Sequence, residues 1–151
     1  MSTSSIPAYI DALLAALRAR PALQAEDVLV SDSFPMGDLS EVRLLTVGGQ
    51  DDPTATGEQA SASLGRQRRE EDYVLNLYGS ALTGDGDQKA VRDQAFGLMA
   101  EVEDLLRDDP TLGNTVRESY VEGGITLSQQ KPEHGGRWAE VAFTIHVKNR
   151  I

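Results

Sequence analysis

The closing stretch "GRWAEVAFTIHVKNRI", residues 136–151, alternates strictly. Val141, Phe143, Ile145 and Val147 fall on one side, and Ala142, Thr144, His146 and Lys148 on the other. A period of two predicts a strand with one buried face. The run "TGDGDQKAVRDQAFGLMAEVEDLLRDDPTLGN", residues 83–114, has the other period. Val91, Ala95, Leu98, Met99, Val102, Leu105 and Leu106 form one helical stripe, with Asp85 or Asp87 placed to cap and Pro110 to end it. A half-buried strand and a one-sided helix bury their apolar surfaces against each other, so the two predict helices layered on a sheet.

The remaining elements fit that layer. "SSIPAYIDALLAALRARP" reads as a first helix, with Ser4 or Ser5 as cap, Pro7 in the first turn and Ile6, Ile10, Leu13, Leu14 and Leu17 on one face. Strands are expected near Val28–Val30, in "EVRLLTVGG" (41–49), in "EEDYVLNLYGSAL" (70–82) and in "VRESYVEGGITLSQQ" (116–130), where Gly123 and Gly124 suggest a bulge. Tyr73, Leu75 and Leu77 are expected to face the core. "SFPMGDLS" and "KPEHGG" read as turns. Residues 48–64 are small, polar and rich in turn formers, and are expected to be a long mobile loop. The expected fold is α+β in one domain over 1–151: a mostly antiparallel sheet of about five strands, two helices on one face, in the order α-β-β-β-α-β-β.

Composition narrows function. The 151 residues contain no cysteine, which excludes a disulfide framework, a thiol nucleophile and Cys-based metal sites. A formal charge of -10 disfavours phosphate backbones and anionic lipid, so neither a membrane nor sequence-specific nucleic acid is an expected partner. No apolar run is long enough to span a bilayer. The N-terminus lacks a basic region and carries Asp11 ahead of its apolar run, so it reads as a mature helix rather than a signal peptide. His134 and His146 belong to no ligand pair, no nucleophile elbow occurs, and "GDGD" (84–87) lacks the spaced oxygens of a calcium loop. No catalytic residue, metal or cofactor is expected, and the chain is not expected to be an enzyme.

"LGRQRREEDYVLNLYGS", residues 64–80, sets Arg66, Arg68 and Arg69 at the mouth of a strand. The acids that follow cancel a nucleic-acid patch, and no aromatic interleaves the arginines. Two readings stay open. One is a solvated strand end with cross-strand ion pairs; the other is a subunit contact in which the arginines meet a neighbour's carboxylates. The acidic helix face with Glu101, Asp104 and Asp108 offers such partners.

These stretches, with "IPAYIDALLAALRARP", "LGRQRREEDYVLNLYGSALTGDGD", "AFGLMAEVEDLLRDDPTLGNTVRESYV" and "AEVAFTIHVKNRI", resemble the tail terminator (tail completion) proteins of long-tailed phages over nearly the whole chain. The resemblance implies a structural virion protein, assembled in the host cytoplasm, that forms a homo-hexameric ring at the head–tail junction. Such a ring caps the head-proximal end of the tail tube, stops its polymerisation and joins the tail to the head connector or stopper protein. It implies neither catalysis nor a cofactor. Genomic DNA would pass through the lumen without specific binding: six copies of a -10 chain carry -60 and offer it no phosphate contacts. Arg66, Arg68, Arg69, Glu101, Asp104 and Asp108 are then candidates for the subunit interface. Asp51, Asp52 and Glu58 are candidates for a lumen or tube-docking loop. Another connector or neck subunit is the near alternative. A small ligand-binding domain using the sheet face near Tyr78 and His146 is the distant one.

Overall fold

The computed structural model describes residues 3–33, 35, 43–49, 52–61, 68–83, 87–130 and 136–151. Helix α1 spans Ile6–Arg18, followed by a 3₁₀ turn at Pro21–Leu23. Strands β1 (Val28–Asp32), β2 (Arg43–Val47), β3 (Ala55–Ser61) and β4 (Arg69–Thr83) precede helix α2 (Gln88–Asp108). Strands β5 (Glu118–Val121), β6 (Thr126–Gln130) and β7 (Arg137–Arg150) follow it.

The class is α+β, as the two periodicities predict. Long strands β4 and β7 pair antiparallel from Glu70 opposite Arg150 to Thr83 opposite Arg137 and form the spine of a seven-stranded sheet. Each carries two shorter strands on its outer edge. Strand β2 pairs with the C-terminal part of β4 and β3 with its N-terminal part. Strands β6 and β5 share the edge of β7 in the same way. Strand β1 lies outside β2.

Alternation decides the layers. Tyr73, Leu75, Leu77 and Ala81 of β4 and Ala139, Val141, Phe143, Ile145 and Val147 of β7 are buried in one core cluster with Leu45 and Val47 of β2. Tyr9, Leu13, Leu14 and Leu17 of α1 and Val91, Ala95, Leu98, Met99, Val102 and Leu106 of α2 join that cluster, so both helices cover the same face. Gly79 interrupts this β4 row beneath α2: a Cβ there would stand 3.2 Å from Ala95 O and 3.3 Å from Leu98 Cβ. Asp87 caps α2 by accepting from Ala90 N–H. Ser5 is the N-cap residue of α1 but makes no side-chain cap.

The structure departs from the sequence expectation in three places. Residues 55–61, expected within the mobile loop, form β3. Its side chains are almost all exposed, so it is held by its backbone ladder to β4, and composition carries no trace of such a partnership. The run 116–130, read as one bulged strand, is two strands on one edge of β7. The register steps from Val121 opposite Ile145 to Thr126 opposite Ala142 across a bulge where Gly123 has φ of 100°. Strands β1 and β2 pair in parallel, so β2 starts at the end of the sheet where β1 began. The turns at 36–40 and 131–135, and Asp85, lie outside the described residues.

Candidate functional surface: the open sheet face and the strand edges

The sheet face opposite the helices holds the residues that alternate with the core. In its β3–β4–β7–β5 part, register brings three rows of charge together. Glu70 and Asp72 of β4 lie beside Arg150 and Lys148 of β7, and Glu118 and Tyr120 of β5 lie on the far side of Lys148 and His146. Arg150 Nε donates to Glu70 Oε1 at 2.8 Å, and Arg117 approaches Glu70 Oε2 at 3.7 Å. His146 Nε2 meets Asp72 Oδ1, and its Nδ1 lies 3.4 Å from Glu122 Oε2. The Tyr120 ring leans on the imidazole with centroids 5.5 Å apart. Tyr120, by charge and then by hydrogen bond, together with Glu118 and Asp72, moves the Lys148 pKa up and favours its ammonium. A basic row between two acidic rows ties three strands at their surface.

Further along the same face, the Tyr78 hydroxyl donates to Asp52, which together with burial moves the phenol up to about 12. Asn76 Nδ2 donates to Pro53 O at 2.8 Å. These bonds lay the segment after β2 against β4. Between that segment and the Gly123–Gly124 bulge runs a shallow groove of about 210 Å³, lined by Asp52, Asn76, Tyr78, Gly124, Thr126 and Thr144 among others. Burial raises the pKa of Glu140 on the same face.

The residues singled out from the sequence fall in different settings. Arg66 and Asp51 lie outside the described residues, as does His134. Arg69 is half-buried at the start of β4, where Nη1 donates to Gln59 Oε1 at 3.0 Å. Glu101 accepts from Arg20 Nε at 2.7 Å, an ion pair between the end of the α1 segment and α2. Arg68, Asp104 and Asp108 are exposed, and their side chains make no hydrogen bond or ion pair among the described residues. Asp52 is bonded to Tyr78. Glu58 stands exposed on β3, opposite Asp72. Glu70 is thus paired with Arg150 and Asp72 with His146, both on the chain's own last strand, and neither acid pairs with Arg68 or Arg69. The signal was present in two stretches of period two, "EED" and "HVKNR". Only their adjacency was hidden.

Glu71 points to the helix side and is 3% exposed. It accepts from Ser5 N–H at 2.8 Å, Ser4 Oγ at 2.6 Å and Gln59 Nε2 at 3.1 Å. Ser4 Oγ in turn accepts from Ile6 N–H at 3.1 Å. A carboxylate from β4 therefore caps the positive end of α1. Sequence reasoning missed it because the cap lies 66 residues from the helix it serves.

Among the described residues no group of three or more His, Asp or Glu is arranged to hold a metal ion. Among the described residues no helix is long and apolar enough to cross a membrane. No family model matches the chain, and no curated protein matches it. One chain of a solved structure, described as the virion of a native gene transfer agent (GTA) particle, is similar to it with a TM-score of 0.48 and 16% identity. The match covers 98% of this chain and 100% of that one.

Proposed function

We propose that the chain is a structural virion subunit of the tail terminator type. Six copies form a ring on the head-proximal end of a tail tube, end its polymerisation and seat the head connector, while DNA passes through the bore without specific contacts. The subunit works by shape and surface and uses no cofactor. The observation that carries the assembly reading is the charge left over after intrachain pairing. Arg68 at the mouth of β4, and Asp104 and Asp108 on the outer side of α2, are exposed and unpaired among the described residues. Unlike charges on different parts of one surface suit a head-to-tail contact between copies. Glu58 on β3, with Asp51 and Asp52 in the segment before it, are the residues proposed to face the tube or the bore.

Electron microscopy of tails assembled with and without the chain tests the reading. Tails of unregulated length that fail to join heads are expected without it; tails of normal length would end the assignment. Arg68→Glu is expected to leave the fold intact and to weaken association between copies about tenfold, an interfacial charge-pair loss of roughly 1.4 kcal/mol. Unchanged sedimentation of the variant would return Arg68 to the solvated strand end. Arg69 is the poorer probe, because its guanidinium already serves Gln59. The groove beside Tyr78 keeps a ligand-binding reading in view: a stable monomer that takes a small molecule there would favour it.

A further inference from the structure

Backbone hydrogen bonding fixes which way each edge strand faces. In an antiparallel pair, residues that bond the neighbour alternate with residues whose N–H and C=O point away from it. Asn76 N–H donates to Thr54 O at 2.9 Å, and Arg69 N–H to Ile151 O at 3.1 Å. With Thr56 opposite Val74 and Glu58 opposite Asp72, the even positions of β4 bond β3 and the odd ones bond β7. Gly57, Gln59 and Ser61 therefore turn their backbone groups outward. On the other side, Glu122 N–H donates to Thr144 O at 3.2 Å. Thr126 and Ser128 face Ala142 and Glu140 in the same phase, which leaves the backbone groups of Leu127 and Gln129 outward.

Among the described residues these two edges are open in a way β1 is not. The outward carbonyl of Val30 on β1 is taken by Arg18 Nη2 at 3.1 Å. Among the described residues β3 pairs only with β4, and β6 only with β7. Neither strand contains the lysine or proline that commonly blunts an edge. Strand β3 consists of small or polar residues with one acid, Glu58, and is exposed at six of its seven positions. Beside the β6 edge, Ile125 is 55% and Leu127 38% exposed.

The directions of the strands select the partner. Strands β3 and β7 both run against β4, and β6 runs against β7, so β3 and β6 point in opposite senses on opposite sides of one sheet. Glu58 stands level with Asp72, whereas Ser128, through Glu140, stands level with Ser80, so β3 and β6 lie at opposite ends of the sheet. A second copy rotated about an axis inclined to the strands, and so also displaced along them, presents its β3 antiparallel to the first copy's β6, the more favourable ladder. We infer that β3 of one copy adds to the β6 edge of the next, so that the sheet continues from subunit to subunit by main-chain pairing. The joined edges are unlike, so the contact is head-to-tail and leads to a ring or an open array rather than a two-fold dimer. Closure into a ring rests on the function proposed above; the contact itself does not.

Hydrogen exchange of the full chain, followed from dilute solution to the highest soluble concentration alongside sedimentation, tests the pairing. Association is expected to slow the Gly57, Gln59, Leu127 and Gln129 amides about tenfold or more, while amides already in the β4–β7 ladder change little. Ser61→Pro and Leu127→Pro each remove one outward N–H without touching an existing ladder bond, and each is expected to weaken association about tenfold with the far-ultraviolet spectrum unchanged. Association without slowing at β3 and β6 would overturn the edge pairing and leave the ring reading standing. A folded chain that stays monomeric throughout would also overturn the pairing, and tail microscopy alone would then judge the ring. Loss of association in Ser61→Pro but not in Leu127→Pro would overturn β6 as the receiving edge. Should either proline unfold the chain, exchange on the unmodified protein still decides.

Discussion

Tyr73→Ala is expected to cost about 3–5 kcal/mol of stability, the range for removing a large aromatic from a packed core. Tyr73 is 2% exposed. Its ring meets Tyr9 of α1 edge to face, with centroids 6.4 Å apart and planes at 81°. Its hydroxyl shares a 2.9 Å hydrogen bond with Ser5 Oγ at the start of α1. Strand β3 depends on the same residue: a Cβ on Gly57 would fall 2.3 Å from Tyr73 Cβ, so the glycine lets β3 lie against it. One truncation thus opens a cavity where α1, β3 and β4 meet. For a chain of this length the melting temperature should drop by roughly 10–15 °C. Tyr73→Phe keeps the ring and loses one hydrogen bond, and should cost only about 1 kcal/mol. Thermal unfolding of both variants checks the contrast; similar losses would mean that the hydroxyl, not the packing, holds the junction.

Glu71→Gln should destabilise the chain by about 2–3 kcal/mol, because an amide nitrogen would face donors that now meet a buried carboxylate. The pH dependence should change as well. Burial pushes the Glu71 pKa up, but hydrogen bonds from Ser4, the Ser5 N–H, Gln59 and the Ser5 hydroxyl outweigh it and hold the group below its ordinary 4.5. The folded state therefore binds this proton less readily than the unfolded chain. The contribution to stability is fully present above about pH 4.5, and it is lost as pH falls through the lower folded-state value. Urea unfolding from pH 7 down to pH 3 should show a narrowing gap between wild type and Glu71→Gln. A gap that stays constant with pH would mean that the carboxylate's charge contributes nothing to the cap.

How far the surface could be read from sequence differs residue by residue. The alternation in 136–151 places His146 and Lys148 on the face away from the helices, and the structure keeps them there. That Asp72 and Glu122 would bracket His146 depends on β4 and β5 both lying beside β7, and Asp72 stands 74 residues from His146 in the chain. Arg68, Arg69 and Glu101 look alike as sequence. Tertiary contacts separate them: Gln59 takes Arg69, Arg20 takes Glu101, and Arg68 is left exposed.

Sequence by itself determined the two layers. A period of two in "YVLNLYG" and "VAFTIHV" and a helical period in α1 and α2 are local consequences of one-sided burial, and they survive in the folded chain without help from any partner. The bulge at Gly123 was equally legible, since two adjacent glycines inside a strand pattern mark a place where the backbone leaves the ladder. Only the tertiary structure decided that β1 and β2 run parallel, that residues 55–61 form a strand, and that Glu71 caps a helix far away in the chain. Each depends on which segments become neighbours. Strand β3 is the clearest case: its stability lies in backbone bonds to β4, and those bonds leave no mark on the side chains from which a sequence is read.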